Sequence, residues 1–236
     1  MEIRISKTKE DLASAFSIFF KSLVQSDKVT HVALSGGNSP RKIFDHLAEN
    51  YGEEIDWTKV NIYWVDERCV HPLNEESNFK MTRDHLLSKV KIPEENIHRM
   101  RGEDNPEKEA KRYGELLDKQ LPAENGVPEF DLIVLGLGDD GHTASIFPDS
   151  MELWDSEENC AVAAHPTSGQ KRVTLTGKVI NTAQAVAFLV TGENKAKIVR
   201  EITRHQGDYK KYPASLVNPD TPDFIWFLDE EAAKEL

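Results

Sequence analysis

Short apolar runs separated by amphipathic stretches constrain this chain more than any other feature of its sequence. The runs are Val29–Leu34 (VTHVAL), Val60–Val65 (VNIYWV), Asp131–Leu135 (DLIVL), Arg172–Thr176 (RVTLT), Ala185–Val190 (AVAFLV) and Phe224–Leu228 (FIWFL), and a first strand is expected from about Glu2. Several are apolar on successive rather than alternate residues, the pattern of strands covered on both faces. Between them the spacing predicts helices over roughly 9–25, 40–50, 78–90, 106–120 and 193–205. Leu12, Ala15, Phe16, Phe19, Phe20 and Leu23 form one stripe at helical spacing, which reads as a core face. Strand–helix alternation of this kind implies an α/β fold: an open, mostly parallel twisted sheet with helices on both faces. No repeat, low-complexity tract or Gly/Ser linker interrupts residues 1–236, so a single domain is expected. Arg101–Pro106 and Ala123–Glu129 read as surface excursions, and Asp149–Glu158, with five acids and no base, as a solvated edge.

Composition narrows the function class. Lys plus Arg number 29 against 41 Asp plus Glu, a formal charge of −12. That balance argues against nucleic acid or an anionic membrane as partner, because no basic excess exists to release counterions. No apolar stretch is long enough for a membrane span, and MEIRISKTKE has neither a signal nor a transit character. Two cysteines, Cys69 and Cys160, are too few for a disulfide framework and read as bland. A cytoplasmic protein is expected.

Three strand ends carry unusual residues, and ligands of open parallel sheets collect beyond such ends. Ser35-Gly36-Gly37-Asn38-Ser39-Pro40 follows the first run. Its glycines permit close backbone approach, and the helix it opens offers N–H donors to an anion. An ordinary strand-to-helix turn needs the same residue types, so both readings stand. Asp66-Glu67-Arg68 follows VNIYWV, with Ser77-Asn78 beyond it. Three charges at the end of a buried strand are costly unless they face a ligand or one another, for instance with Arg68 satisfying Asp66 or Glu67.

The third end is Gly136-Leu137-Gly138-Asp139-Asp140-Gly141-His142-Thr143-Ala144-Ser145. Its glycines match G-x-G-x-x-G after a strand. A dinucleotide site is rejected, because Asp139 and Asp140 would face a pyrophosphate and Pro148 cuts any following helix short. The better reading is a flexible loop presenting His142 at a helix start, with Asp140 close by, since histidine is the natural base near neutral pH. None of the eight histidines pairs at i, i+3 or i, i+4, and no G-x-S-x-G elbow occurs.

Together SGGNSP, DERCV followed by SN, and GLGDDGHTASIFP resemble the 6-phosphogluconolactonase family, supported by KRVTLT at 171–176, GENKA at 192–196 and WFLD at 226–229. Departures are Asn38 where a hydroxyl residue is commoner, His71 before Pro72, and Asp149 after Pro148. The resemblance implies hydrolysis of 6-phospho-D-glucono-1,5-lactone, the second step of the oxidative pentose phosphate pathway, without cofactor or metal. It also implies a fold shared with glucosamine-6-phosphate deaminase and ribose-5-phosphate isomerase, in a monomer or homodimer. By resemblance His142 is the base, and Asp140, or an acid of the 66–67 pair, orients its ring. Asp66, Arg68, Arg172 and Lys195 contact substrate and phosphate, and Gly36, Gly37 and Asn38 form the anion loop. A deaminase is disfavoured: its loop resembles GHIAFNEP, whereas Ile146-Phe147 fills the Asn-Glu slot here, and DER replaces DEY. A non-catalytic sugar-phosphate sensor would need a basic helix-turn-helix, which is not seen.

Overall fold

A computed structural model describes residues 1–25 and 28–236, and of Asn38 the backbone only. The chain runs β1 (Glu2–Ser6), α1 (Lys9–Val24), β2 (Thr30–Leu34), α2 (Asn38–Tyr51), β3 (Val60–Trp64) and the short β4 (Asp66–Arg68). Next come α3 (Asn78–His85), α4 (Pro106–Gln120), the hairpin pair β5 (Ala123–Glu124) and β6 (Val127–Pro128), β7 (Leu132–Leu135) and β8 (Cys160–Ala164). The last elements are β9 (Lys171–Leu175), α5 (Gly177–Thr182), β10 (Ala185–Val190), α6 (Ala196–Thr203) and β11 (Asp223–Asp229).

Six strands form the central sheet in the order β1-β11-β10-β7-β2-β3, every neighbouring pair parallel. Its strands divide their side chains between two cores. Val32, Leu34, Ile62, Trp64, Val134 and Phe227 face the core shared with α1 and α2. Ala33, Tyr63, Val65, Leu135, Phe188 and Trp226 face the core shared with α4 and α6. This two-sided burial is why the runs are apolar on successive residues. Rings fix the packing: Phe188 stacks on Trp226 at 4.1 Å, and Phe16 meets Phe227 edge-on at 5.7 Å.

Local chemistry sets the helix starts. Thr8 caps α1 by accepting from the Asp11 N–H at 3.0 Å, and Glu10 and Asp11 complement the first turn. Asn105 caps α4 with Pro106 in its first turn. No helix among the described residues is long and apolar enough to cross a membrane.

Some expectations need correction. The Arg172–Thr176 run does not join the parallel sheet; β9 pairs antiparallel with β4 and β8 in a separate three-stranded sheet. Asp66-Glu67-Arg68, read from the sequence only as the end of the VNIYWV strand, is the edge strand β4 of that sheet. His142 starts no helix, because Gly141 (φ 83°) and Ala144 (φ 49°) leave the right-handed helical region. The predicted helix over 78–90 stops at His85, before a separate turn at Leu87–Lys89. In the segment 149–158 the acids are exposed as expected, but Trp154 is buried. Its ring fills the space beside Gly177, where a Cβ would come within 2.5 Å of it.

Beside the sheet, Tyr63 stacks on His98 at 4.5 Å and shares a hydrogen bond of 3.2 Å with His31. Burial and the neighbouring His31 hold His98 down at about 4, and burial also lowers His31. The folded-state values lie below the unfolded one of about 6.5, so this contribution is complete above pH 6.5 and lost as pH falls towards 4. Thermal melts should show Tm falling across that window and the fall flattened in His98→Gln. Equal slopes in the two proteins would contradict the assignment.

Candidate active site

The carboxyl ends of β2, β7 and β10 open on a cleft with two adjoining compartments. The inner one, about 150 Å³, is lined by His142, Arg68, Arg172, Asp66 and Asn78. The outer one, about 520 Å³, holds Lys195, Ser39 and Asn194. Gly36, Gly37, Gly136 and Leu137 line both. Every site residue inferred from the sequence therefore reaches one cleft except Asn38, whose side chain lies outside the described residues, and Asp140, which acts from behind His142.

The His142 loop owes its shape to its glycines. Gly138 N–H donates to the His142 carbonyl at 2.8 Å, and the Gly141 N–H donates to Gly138 at 3.1 Å. A Cβ on Gly138 would sit 2.1 Å from His142 Nδ1, so only glycine lets the imidazole fold back over the turn. Nδ1 lies 2.6 Å from Asp140 Oδ1, and the His142 backbone N–H donates to the same oxygen at 3.1 Å. Burial pushes the Asp140 carboxyl up, but the His142 hydrogen bond and charge more than offset it and hold it at about 2. Asp140 is thus the carboxylate in contact with the ring, and it engages Nδ1 rather than Nε2. The ring rests on Phe147 at 4.7 Å.

The acids at 66 and 67 do other work. Glu67 accepts from Ser77 Oγ and from the N–H groups of Arg68, Asn78 and Phe79 at 2.7–3.0 Å, tying β4 to the start of α3. Burial raises its pKa against those four bonds. Asp66 accepts from Asn78 Nδ2 at 3.1 Å and from Ser145 Oγ at 2.6 Å. Neither acid pairs with the Arg68 side chain, which donates to the Glu76 carbonyl instead. Pairing Arg68 with its own neighbours is therefore overturned.

Arg68 and Arg172 face one another across the β4–β9 ladder. Like charges directly opposite destabilise a strand pair, and Arg172 is only 8% exposed. Burial lowers the Arg172 pKa, with Asp66 opposing and Arg68 reinforcing that shift. Its Nη1 reaches Ser145 Oγ at a long 3.4 Å, its plane lies over Phe147 at 5.5 Å, and the Nε of each arginine has no partner. Two guanidinium groups with unspent donors in one small compartment make a seat for an anion.

In the outer compartment Lys195 pairs with Asp139, which also accepts from Asn194 Nδ2 at 2.7 Å. Gly192 (φ 98°), before Lys195, donates its N–H to the buried Asp229 carboxylate at 3.0 Å. Gly37 (φ 109°) stands at the N-cap of the 14-residue α2 and gives it no side-chain cap. Its first N–H groups keep the capacity that a plain capped turn would use up, which favours the anion-loop reading of Gly36 and Gly37. The sequence reading passed over Glu67 as the α3 anchor and Ser145 as the bridge between Asp66 and Arg172. The Ser-Asn cap at 77–78 was a visible signal for the first; nothing local pointed to the second.

A family model described as glucosamine-6-phosphate isomerases/6-phosphogluconolactonase matches residues 5–226, and the chain belongs to that family. It is an enzyme of the family's 6-phosphogluconolactonase group. The 6-phosphogluconolactonase of Treponema pallidum is 41% identical over 202 residues, 86% of this chain and 84% of that protein. That of Haemophilus influenzae is 41% identical over 213 residues, 90% of each. The Trypanosoma brucei 6-phosphogluconolactonase structure superposes with a TM-score of 0.87 at 26% identity, covering 100% of this chain and 98% of that one. A monomeric glucosamine-6-phosphate deaminase matches with a TM-score of 0.85 at 19% identity and shares the fold; it covers 100% of both chains.

Gly36 tests the packing of the inner compartment. A Cβ there would fall 1.8 Å from Asn78 Oδ1 and push Asn78 off Asp66. Gly36→Ala should cost about 1–3 kcal/mol and lower Tm by roughly 2–10 °C in calorimetry. An unchanged Tm would show that Asn78 is not held there.

Proposed function

We propose that the chain hydrolyses 6-phospho-D-glucono-1,5-lactone to 6-phospho-D-gluconate, the second step of the oxidative pentose phosphate pathway. One observation carries this reading: an imidazole locked by a carboxylate shares a small compartment with two arginines whose donors are unspent. That combination suits an anionic substrate carrying an electrophilic carbonyl.

Nε2 of His142 takes a proton from water as the oxygen attacks C1. The carbonyl becomes an oxyanion, and its collapse breaks the ring C–O bond, with the proton delivered to the leaving hydroxyl. Asp140 stays ionised throughout and stabilises the imidazolium while it exists. General-base help of this kind is worth about 10²–10⁴ in rate. Backbone N–H groups of the glycine loops supply donors for the oxyanion. Arg68, Arg172 and Lys195, with the start of α2, hold the phosphate and fix the ring relative to His142, turning binding energy into orientation. Lys195 must leave Asp139 to do so.

The deaminase reading fails on chemistry. The slot that would carry its relay carboxylate holds Ile146 and Phe147, both fully buried and without a proton to exchange.

A coupled assay tests the proposal. Glucose-6-phosphate dehydrogenase generates the lactone, and the next dehydrogenase reports its opening above the spontaneous rate. The protein should accelerate opening and release no ammonia from glucosamine 6-phosphate. His142→Asn should lower kcat by about 10² or more with the circular dichroism spectrum unchanged. Near-normal turnover in that variant would remove His142 as the base.

A further inference from the structure

The bonds from Gly138 to His142 and from Gly141 to Gly138 join only one part of the His142 loop to another. Something outside must fix where the imidazole stands. The segment 205–217, after α6, reaches that point. The ring of Tyr212 occupies the space beside Gly141: a Cβ there would meet ring atoms at 2.4–2.6 Å. The Ala214 N–H donates to the Gly141 carbonyl at 3.1 Å. Gly141 immediately precedes His142, so the pair of contacts grips the backbone one residue from the base.

The grip is itself anchored. Tyr212 Oη donates to Oε2 of Glu201 on α6 at 2.7 Å. Glu201 is 5% exposed, and its cationic neighbours Lys197 and Arg200 stand off at 3.9 and 4.0 Å. The phenol is therefore the close partner of a buried carboxylate that the hydrolytic mechanism does not use. The connection bends back through His205 (φ 52°) and Gly207 (φ 58°), and a Cβ on Gly207 would come 2.7 Å from Glu201 Oε1. Burial and Glu201 hold the Tyr212 phenol up at about 12, so it stays a donor throughout the working range.

We infer that Tyr212, tethered by Glu201, is a positioning residue that sets the placement of His142 through Gly141. It lines neither compartment of the cleft, so its loss should appear in the chemical step and leave ground-state binding alone. The inference rests on His142 being the base. A misplacement of about 1 Å at a catalytic group costs up to 10² in rate, which sets the scale expected here.

The experiment combines steady-state kinetics with NMR of histidine-labelled protein, the His142 signal being assigned by its absence in His142→Asn. Tyr212→Leu should lower kcat about tenfold or more, leave KM for the phosphorylated lactone within about twofold, and move the His142 resonance. Glu201→Gln, whose amide oxygen still accepts the phenolic proton, should recover most of that kcat. Should Tyr212→Leu not fold, Tyr212→Phe is read by the same criteria, with an expected loss of about two- to fivefold. Unchanged kcat, a loss carried by KM, or an unmoved His142 resonance overturns the positioning role. The two readings separate cleanly: an active His142→Asn enzyme refutes the base, while an inactive one beside a fully active Tyr212→Leu refutes only the positioning.

Discussion

Two guanidinium groups set directly across a strand pair are the feature on which the rest of this molecule depends. Arg68 and Arg172 repel one another, and Arg172 is almost wholly withdrawn from water. Such an arrangement raises the energy of the empty protein and lowers that of the complex with an anion. The neighbourhood softens the cost without cancelling it. Asp66 supplies a nearby negative charge, but Ser145 and Asn78 already occupy its oxygens. The Arg172 plane leans on Phe147, which also supports His142. The Arg172 guanidinium and the His142 imidazole thus share one aromatic wall, held rigidly by the full burial of Phe147.

The parallel sheet supplies that rigidity. Its strands are buried on both faces, and their carboxyl ends deliver the glycine loops to one edge. The small antiparallel sheet then adds what the parallel sheet lacks, since β4 and β9 bring the two arginines together. Its core face, through Val173 and Leu175, packs into the same hydrophobic core as α4. A protein with a net charge of −12 thus places Arg68, Arg172 and Lys195 along one cleft.

Much of this was legible beforehand. Runs such as AVAFLV and FIWFL announced two-sided burial, and the β10–β11 pairing follows from it. GLGDDGHTAS placed Asp140 beside His142 because the two are close in sequence. What could not be read was whatever depends on distant partners. Nothing near Arg172 says that it faces Arg68, because the pairing joins residues about a hundred positions apart. Glu67 looked like a candidate partner for Arg68 or His142, yet three donors around the start of α3 and the Arg68 backbone N–H claim it. The helix expected after His142 fails because Gly141 and Ala144 take left-handed backbone angles. Local chemistry was visible, and long-range contacts decided the remainder.

The central claim is that the Asp140–His142 pair drives the reaction, and the pH dependence of kcat/KM tests it most directly. Asp140, held at about 2, cannot itself titrate in the working range. The wild-type profile should therefore fall on its acid side with the slope of a single proton. Removing the carboxylate in Asp140→Asn should lower kcat/KM, because the imidazolium loses its counter-charge. A wild-type profile that does not fall on its acid side, or a kcat/KM unchanged in Asp140→Asn, would contradict the account.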